Sequence, residues 1–151
     1  MTSRRDKTIP EALYAKILDV MPIPCADAVL VSGKHFLLGK RNNRPAKGKW
    51  FLIGGRVQKG ELLSDAIQRH IAREIGVKRM TIKKQLTTRE TIFKDSAQGP
   101  ASHSINTVFV VAIPYKKYVP PNDENAELAW FSKIDSRWHP YVKEALRLAG
   151  F

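Results

Sequence analysis

Only one cysteine, Cys25, occurs in the 151 residues, so no intramolecular disulfide can brace the chain. Set in the apolar run CADAVLVS, that thiol is expected to act as a small buried hydrophobe with no chemistry of its own. No run of about 18 apolar residues is present, which excludes a membrane-crossing helix and makes a membrane partner unexpected. The start, MTSRRDKTIP, lacks the apolar core of a secretory signal, so cytoplasmic residence is expected. Internal repeats and low-complexity tracts are missing too. Acids are the scarce charge: 14 Asp and Glu stand against 26 Lys and Arg, a net charge of +12. A field of that size favours polyanions such as nucleotides, RNA or acidic surfaces. The basic residues are scattered along the chain, however, and the aromatic and glycine signature of an RNA-recognition sheet is absent. Nucleic acid is therefore not the expected partner.

What is present suits one soluble domain spanning 1–151, with residues 1–8 polar and loose, because the chain is 43% hydrophobic and 26% charged. Behind Pro10, Leu13, Ile17 and Val20 recur at helical spacing. CADAVLVS and KHFLLGKR read as strands joined at Ser32 and Gly33, and the second delivers Lys40 and Arg41. NNRPAKGK is a loop, and WFLIGG a short strand that stops at a double glycine. From Leu62 to Ile75, apolar residues at Leu63, Ile67, Ile71 and Ile75 predict a helix closed by Gly76. MTIKKQLTTRETIF and INTVFVVAI predict a hairpin across the polar loop KDSAQGPASHS. After the loop YVPPNDENAE come a strand, ELAWFS, and a helix over HPYVKEALRLAG. The elements interleave without a regular βαβ period, so a mixed sheet covered by helices is expected.

Chemistry concentrates in GGRVQKGELLSDAIQRHIAREIGV, Gly54 to Val77. At about 100° per residue, Glu74 falls between Ile67 and Leu63, inside the apolar stripe. A carboxylate withdrawn from water needs a cation, strong donors or a raised pKa. A hard divalent metal would serve, and so would a Lys or Arg at the sheet edge. Gly54 and Gly55 lie where a strand ends and allow close approach to a ligand, although a double glycine also marks an ordinary turn. Arg41 and Arg56, at strand ends, can grip a diphosphate through paired hydrogen bonds or serve only solubility. Arg69 lies on the far side of the helix and is expected to pair with Glu61. His70, one turn before Glu74, is read as a solvated flank residue in preference to a metal ligand or a donor to Glu74.

The motif resembles the Nudix box: Gly55, Glu61, Arg69, Ile71, Glu74, Gly76 and Val77 match it without a gap. That resemblance implies an α/β fold, an α/β/α sandwich with a mixed central sheet, and metal-dependent hydrolysis of a nucleoside diphosphate linked to another group. His70 and Arg73 stand where ordinary members have metal-binding glutamates, so a cluster of several ions is not expected. The wider stretch LLGKRNNRPAKGKWFLIGGRVQKGE is similar to the GDP-mannose mannosyl hydrolase branch, whose box lacks the same two acids. This similarity implies one Mg²⁺, or Mn²⁺ in its place, a homodimer, and attack of water on the anomeric carbon of a nucleoside diphosphate sugar. By matching positions, Glu74 and the carbonyl of Gly54 would ligate the metal, and Arg41 and Arg56 would hold the phosphates. Asp27 matches another active-site acid of the branch, with a plain strand-edge polar residue as the alternative.

Before the last strand the branch carries a Gln and a His, as metal ligand and general base; here Glu124 and Asn125 stand there. Asparagine cannot accept a proton near neutral pH. Glu124 could ligate the metal, and Asp123, Glu124, Glu127 or His103 could activate water, unless PPNDENAE is only a solvated acidic loop. Two rival functions stay open: a conventional pyrophosphatase that cuts a P–O–P bond and releases a nucleoside monophosphate, and a non-catalytic module for nucleotide or RNA.

Overall fold

The computed structural model describes residues 8–151. The expectation of loose chain at 1–8 falls, apart from Thr8, outside the described residues. Among the described residues ten elements follow in order: α1 (Glu11–Val20), β1 (Ile23–Ser32), β2 (His35–Arg41), β3 (Trp50–Phe51), β4 (Ile53–Arg56), α2 (Leu63–Ile75), β5 (Thr81–Phe93), β6 (Ser102–Ala112), β7 (Asn125–Phe131) and α3 (Pro140–Leu148).

The seven strands form one mixed sheet. β1 lies parallel to β6 along one edge, and β6 pairs with β5 as the expected antiparallel hairpin. Along its other edge, β1 pairs antiparallel with β2 near their shared turn and with β4 further away. The two hairpin strands diverge, and WFLIGG fills the opening. Trp50 and Phe51 pair with β2, and Ile53–Arg56 pair with β1, so the single expected strand is two short ones separated at Leu52. This wedge brings the double glycine against the middle of β1. β7 covers the far edge of β2.

Strand alternation splits the core in two. Ala26, Ala28 and Leu30 of β1 and Leu37 of β2 face α2, where they meet Ala66, Ile67, Ile71 and Ile75. Val29 of β1 and Phe36 and Leu38 of β2 face α3, where Trp138, Tyr141, Val142 and Leu146 close the second layer. The architecture is therefore an α/β/α sandwich. Ile67 and Ile71 are wholly buried, a contribution of about 1.5–3 kcal/mol each from water exclusion. Among the described residues, no helix is long and apolar enough to cross a membrane.

α1 forms behind Pro10, but its buried side differs from the expected stripe. Leu18 is buried, with Tyr14 and Ile17 half-buried beside it, whereas Leu13 and Val20 are exposed. Spacing alone admits both choices; contact of Tyr14 with Arg56 of β4 selects the observed one.

Candidate active site

The loop after β4 is braced first. Glu61 receives bonds from Arg69 Nε and Nη2 at 2.8 and 2.9 Å, and the same guanidinium donates to the carbonyl of Arg56 at 3.0 Å. The ion pair expected from the helix spacing is thus formed, and the guanidinium holds the Glu61 carboxyl below its ordinary range. Arg69 acts here as a strut between loop, strand and helix.

The two glycines have separate tasks. A Cβ at Gly54 would overlap the Ala26 carbonyl and the Asp27 carboxylate on β1, its pairing partner. A Cβ at Gly55 would lie 2.8 Å from Cε1 of His70 on α2. Both faces of β4 are therefore approached closely, which only glycine permits. His70 is only 9% exposed, and its Nε2 lies 3.0 Å from the Arg56 carbonyl. This corrects the reading of His70 as a solvated flank residue: β4 crosses directly over it. Burial, partly opposed by the carbonyl bond, lowers the pKa of the ring and favours its neutral form.

Glu74, in the last turn of α2, is also 9% exposed. Its Oε1 accepts from Asn125 Nδ2 at 3.1 Å, while Oε2 is buried without a hydrogen-bond partner among the described residues. Burial and, secondarily, the Glu124 charge push the carboxyl up to about 8 against the opposing influence of Asn125 and Arg41. A buried oxygen left unpaired costs stability unless a ligand completes it. Asp27, on β1, accepts from the Tyr141 hydroxyl of α3 at 2.5 Å. Burial raises Asp27 to about 6, with the Tyr141 bond and the Arg41 charge pulling the other way.

These groups open onto one cleft of about 440 Å³, lined by Asp27, Arg41, Gly54, Arg56, Glu74, His103 and Glu124 together with Tyr141. The volume lies within the range of small-molecule sites. Arg41 Nε donates to the Pro45 carbonyl at 2.8 Å, which sets its guanidinium at the cleft wall. Arg56 lies over the Tyr14 ring, 5.1 Å from its centre. Asp123 is not brought to the cleft: it is exposed, and its carbonyl accepts from Asn43 Nδ2 at 3.1 Å. Glu127 is exposed on β7 opposite Lys40. Cys25 also borders the cleft, where burial, then the Asp27 charge, pushes its thiol up to about 12. The protonated thiol is a poor nucleophile, although the residue is half-buried at the cleft and not the buried hydrophobe expected from its apolar run.

Two residues escaped the sequence reading. Helical periodicity can turn Tyr141 inward, but nothing local aims it at Asp27, 114 positions earlier. Asn122 was submerged in an acidic loop. Its Oδ1 caps the amides of Glu124 and Asn125 at 2.9 and 2.8 Å, and its Nδ2 donates to the Glu74 carbonyl at 2.8 Å.

Among the described residues, no group of three or more His, Cys, Asp or Glu side chains is gathered to hold a metal. The unpaired oxygen of Glu74 nevertheless fits one divalent ion that takes its remaining ligands from backbone, water and a bound diphosphate.

Comparison with known proteins bears on the family and the fold. The low-salt glycan biosynthesis protein Agl8 of Haloferax volcanii is 33% identical over 140 residues, covering 91% of this chain and 88% of that protein. The ADP-ribose pyrophosphatase of Methanocaldococcus jannaschii is 28% identical over 92 residues, 61% of this chain and 52% of that protein, so the match spans about half of that enzyme. The crystal structure of the MutT NUDIX hydrolase from Burkholderia pseudomallei matches with a TM-score of 0.67 at 26% identity, covering 85% of this chain and 98% of that one. The family model of the NUDIX domain matches residues 21–147, most of the sequence, and the chain therefore belongs to the Nudix hydrolase family.

Proposed function

We propose that the protein is a Mg²⁺-dependent hydrolase of nucleoside diphosphate sugars, with GDP-mannose or a close relative as substrate and Mn²⁺ able to replace Mg²⁺. The observation that carries this reading is the buried helix carboxylate, Glu74, with an oxygen that has no hydrogen-bond partner among the described residues, in a cleft that also contains Arg41 and Arg56. Glu74 and the carbonyl of Gly54 would hold the ion, with Glu124 as a further ligand or as base. When bound, the ion neutralises charge on the diphosphate. His70 is committed to the Arg56 carbonyl, so the helix offers no second acid beside Glu74 for a multi-ion site.

Such a site suits departure of a diphosphate better than attack on phosphorus. Arg41 and Arg56 grip the phosphates and stabilise the charge that grows as the glycosidic C–O bond breaks. Water attacks the anomeric carbon from the opposite side, its proton passes to a carboxylate, and nucleoside diphosphate leaves with the bonding electrons. Glu124 is the favoured acceptor, because it borders the cleft and its charge reaches Glu74. Asp27 and His103 are the other acid–base groups at the cleft wall, and Asp123 lies outside it. Cytoplasmic residence and a homodimer belong to the same proposal, and light scattering tests the latter.

One observation supports a second reading: a relative is an ADP-ribose pyrophosphatase. Cleavage of a P–O–P bond would release a nucleoside monophosphate and a sugar phosphate. Turnover of GDP-mannose with Mg²⁺ in ¹⁸O-water separates the two. We expect GDP without label and mannose with it. Label in a phosphate product would overturn carbon attack.

A further inference from the structure

The position at which the similar branch carries its general base holds Asn125, which is 4% exposed and donates hydrogen bonds through both its backbone and its side-chain amide. Its Nδ2 donates to Glu74 Oε1, and its backbone N–H donates to Asn122 Oδ1 at 2.8 Å. Asn122 in turn accepts from Glu124 N–H and donates to the carbonyl of Glu74. The side chain of Asn125 lies against Gly39 of β2, where a Cβ would overlap its amide and also touch Ile53 at 3.1 Å. The bonded amide therefore has little room to turn. Loop 122–125 thus grips Glu74 twice, through its backbone and through one carboxylate oxygen.

We propose that Asn125, seated by Asn122 and Gly39, is a positioning residue: it restrains Glu74 through Oε1 and keeps Oε2 available for a divalent cation. The proposal rests on the reading of Glu74 as a metal ligand. Asn125 fills the place of a base without acting as one, and the turn that seats it also presents Glu124 to the cleft. A carboxylate held by a neighbouring donor loses less freedom on meeting a metal than one that can rotate, and partners of this kind typically contribute 10–100-fold to metal affinity.

Mn²⁺ titration of the nucleotide-free protein, followed by the electron paramagnetic resonance of free Mn²⁺, tests this directly. Wild type should bind Mn²⁺ and Glu74→Gln should not. Asn125→Ala should raise the dissociation constant about 10- to 100-fold, and Gly39→Ala, which leaves Asn125 in place but displaces its side chain, should do the same. Circular dichroism melts identify any variant that fails to fold; Gly39→Ala or Asn122→Ala then replaces Asn125→Ala. Unchanged Mn²⁺ affinity in folded Asn125→Ala, even with a lower melting temperature, would make Asn125 merely structural and overturn the inference alone. Equal Mn²⁺ binding by wild type and Glu74→Gln, or none by wild type, would overturn the metal reading and this inference together.

Discussion

Glu74 sets function against stability in a single side chain. Its raised pKa means that the folded protein holds a proton which the unfolded chain releases near the ordinary carboxyl value of 4.5. In metal-free protein, stability should therefore fall as pH rises from about 4.5 towards about 8, and added Mg²⁺ should reverse the loss. Glu74→Gln removes the buried charge: at pH 8 without metal it should melt higher than wild type, by roughly 2–4 °C per kcal/mol relieved. The same variant should lose metal-dependent turnover, and a hydrolysis assay with Mg²⁺ checks it. A melting temperature that rose with pH in metal-free wild type would contradict the assigned cause. The helical wheel alone placed this carboxylate in the apolar stripe. It could not show that one oxygen has Asn125 and the other nothing, because Asn125 arrives from a strand 51 residues later. His70 was misread for the same reason: a wheel orders residues around a helix but does not say where the covering layer ends.

At the scale of the element, α2 and the loop before it behave as one unit. Arg69 ties Glu61, the Arg56 carbonyl and the helix together, and the side chains of the pair are only 17% and 4% exposed. Arg69→Met should destabilise the protein by about 1–3 kcal/mol at neutral pH, as expected when a part-buried carboxylate loses its charged hydrogen-bond donor. Because Arg69 lowers the pKa of Glu61, the stabilisation is present above pH 4.5 and is lost as pH falls through the lower folded value. Urea unfolding of both proteins at neutral and acid pH should show the difference narrowing on acidification. This pair was legible from sequence, since the helical wheel turns Arg69 away from Ile67 and lets it meet Glu61 in the loop before the helix. The partition of WFLIGG between two strands was not. Its apolar run reads as one strand, and only the divergence of β1 and β2 makes it change partners at Leu52. The buried side of α1 is a similar case, decided by Tyr14 meeting Arg56.

For the whole molecule, the net charge of +12 acts at longer range than any one contact. It should draw an anionic diphosphate towards the cleft, so kcat/KM for such a substrate should fall as NaCl is raised from low to physiological ionic strength. Steady-state kinetics on a salt series checks this, and a flat response would show that only local contacts matter. The α/β/α layering was implied only by the resemblance to the Nudix box. The order of elements apart from the division of WFLIGG, a mixed sheet covered by helices, the Glu61–Arg69 strut and the membership of Glu74 in a buried stripe were determined by sequence alone. Each follows from periodicity, turn chemistry or spacing within one motif, and these act over a few residues. Tertiary structure decided how Asp27 and Tyr141 meet, which two surfaces require Gly54 and Gly55, why His70 is covered and what Asn125 touches. Those contacts join residues up to 114 positions apart, and local patterns carry no information about which distant side chain will arrive opposite.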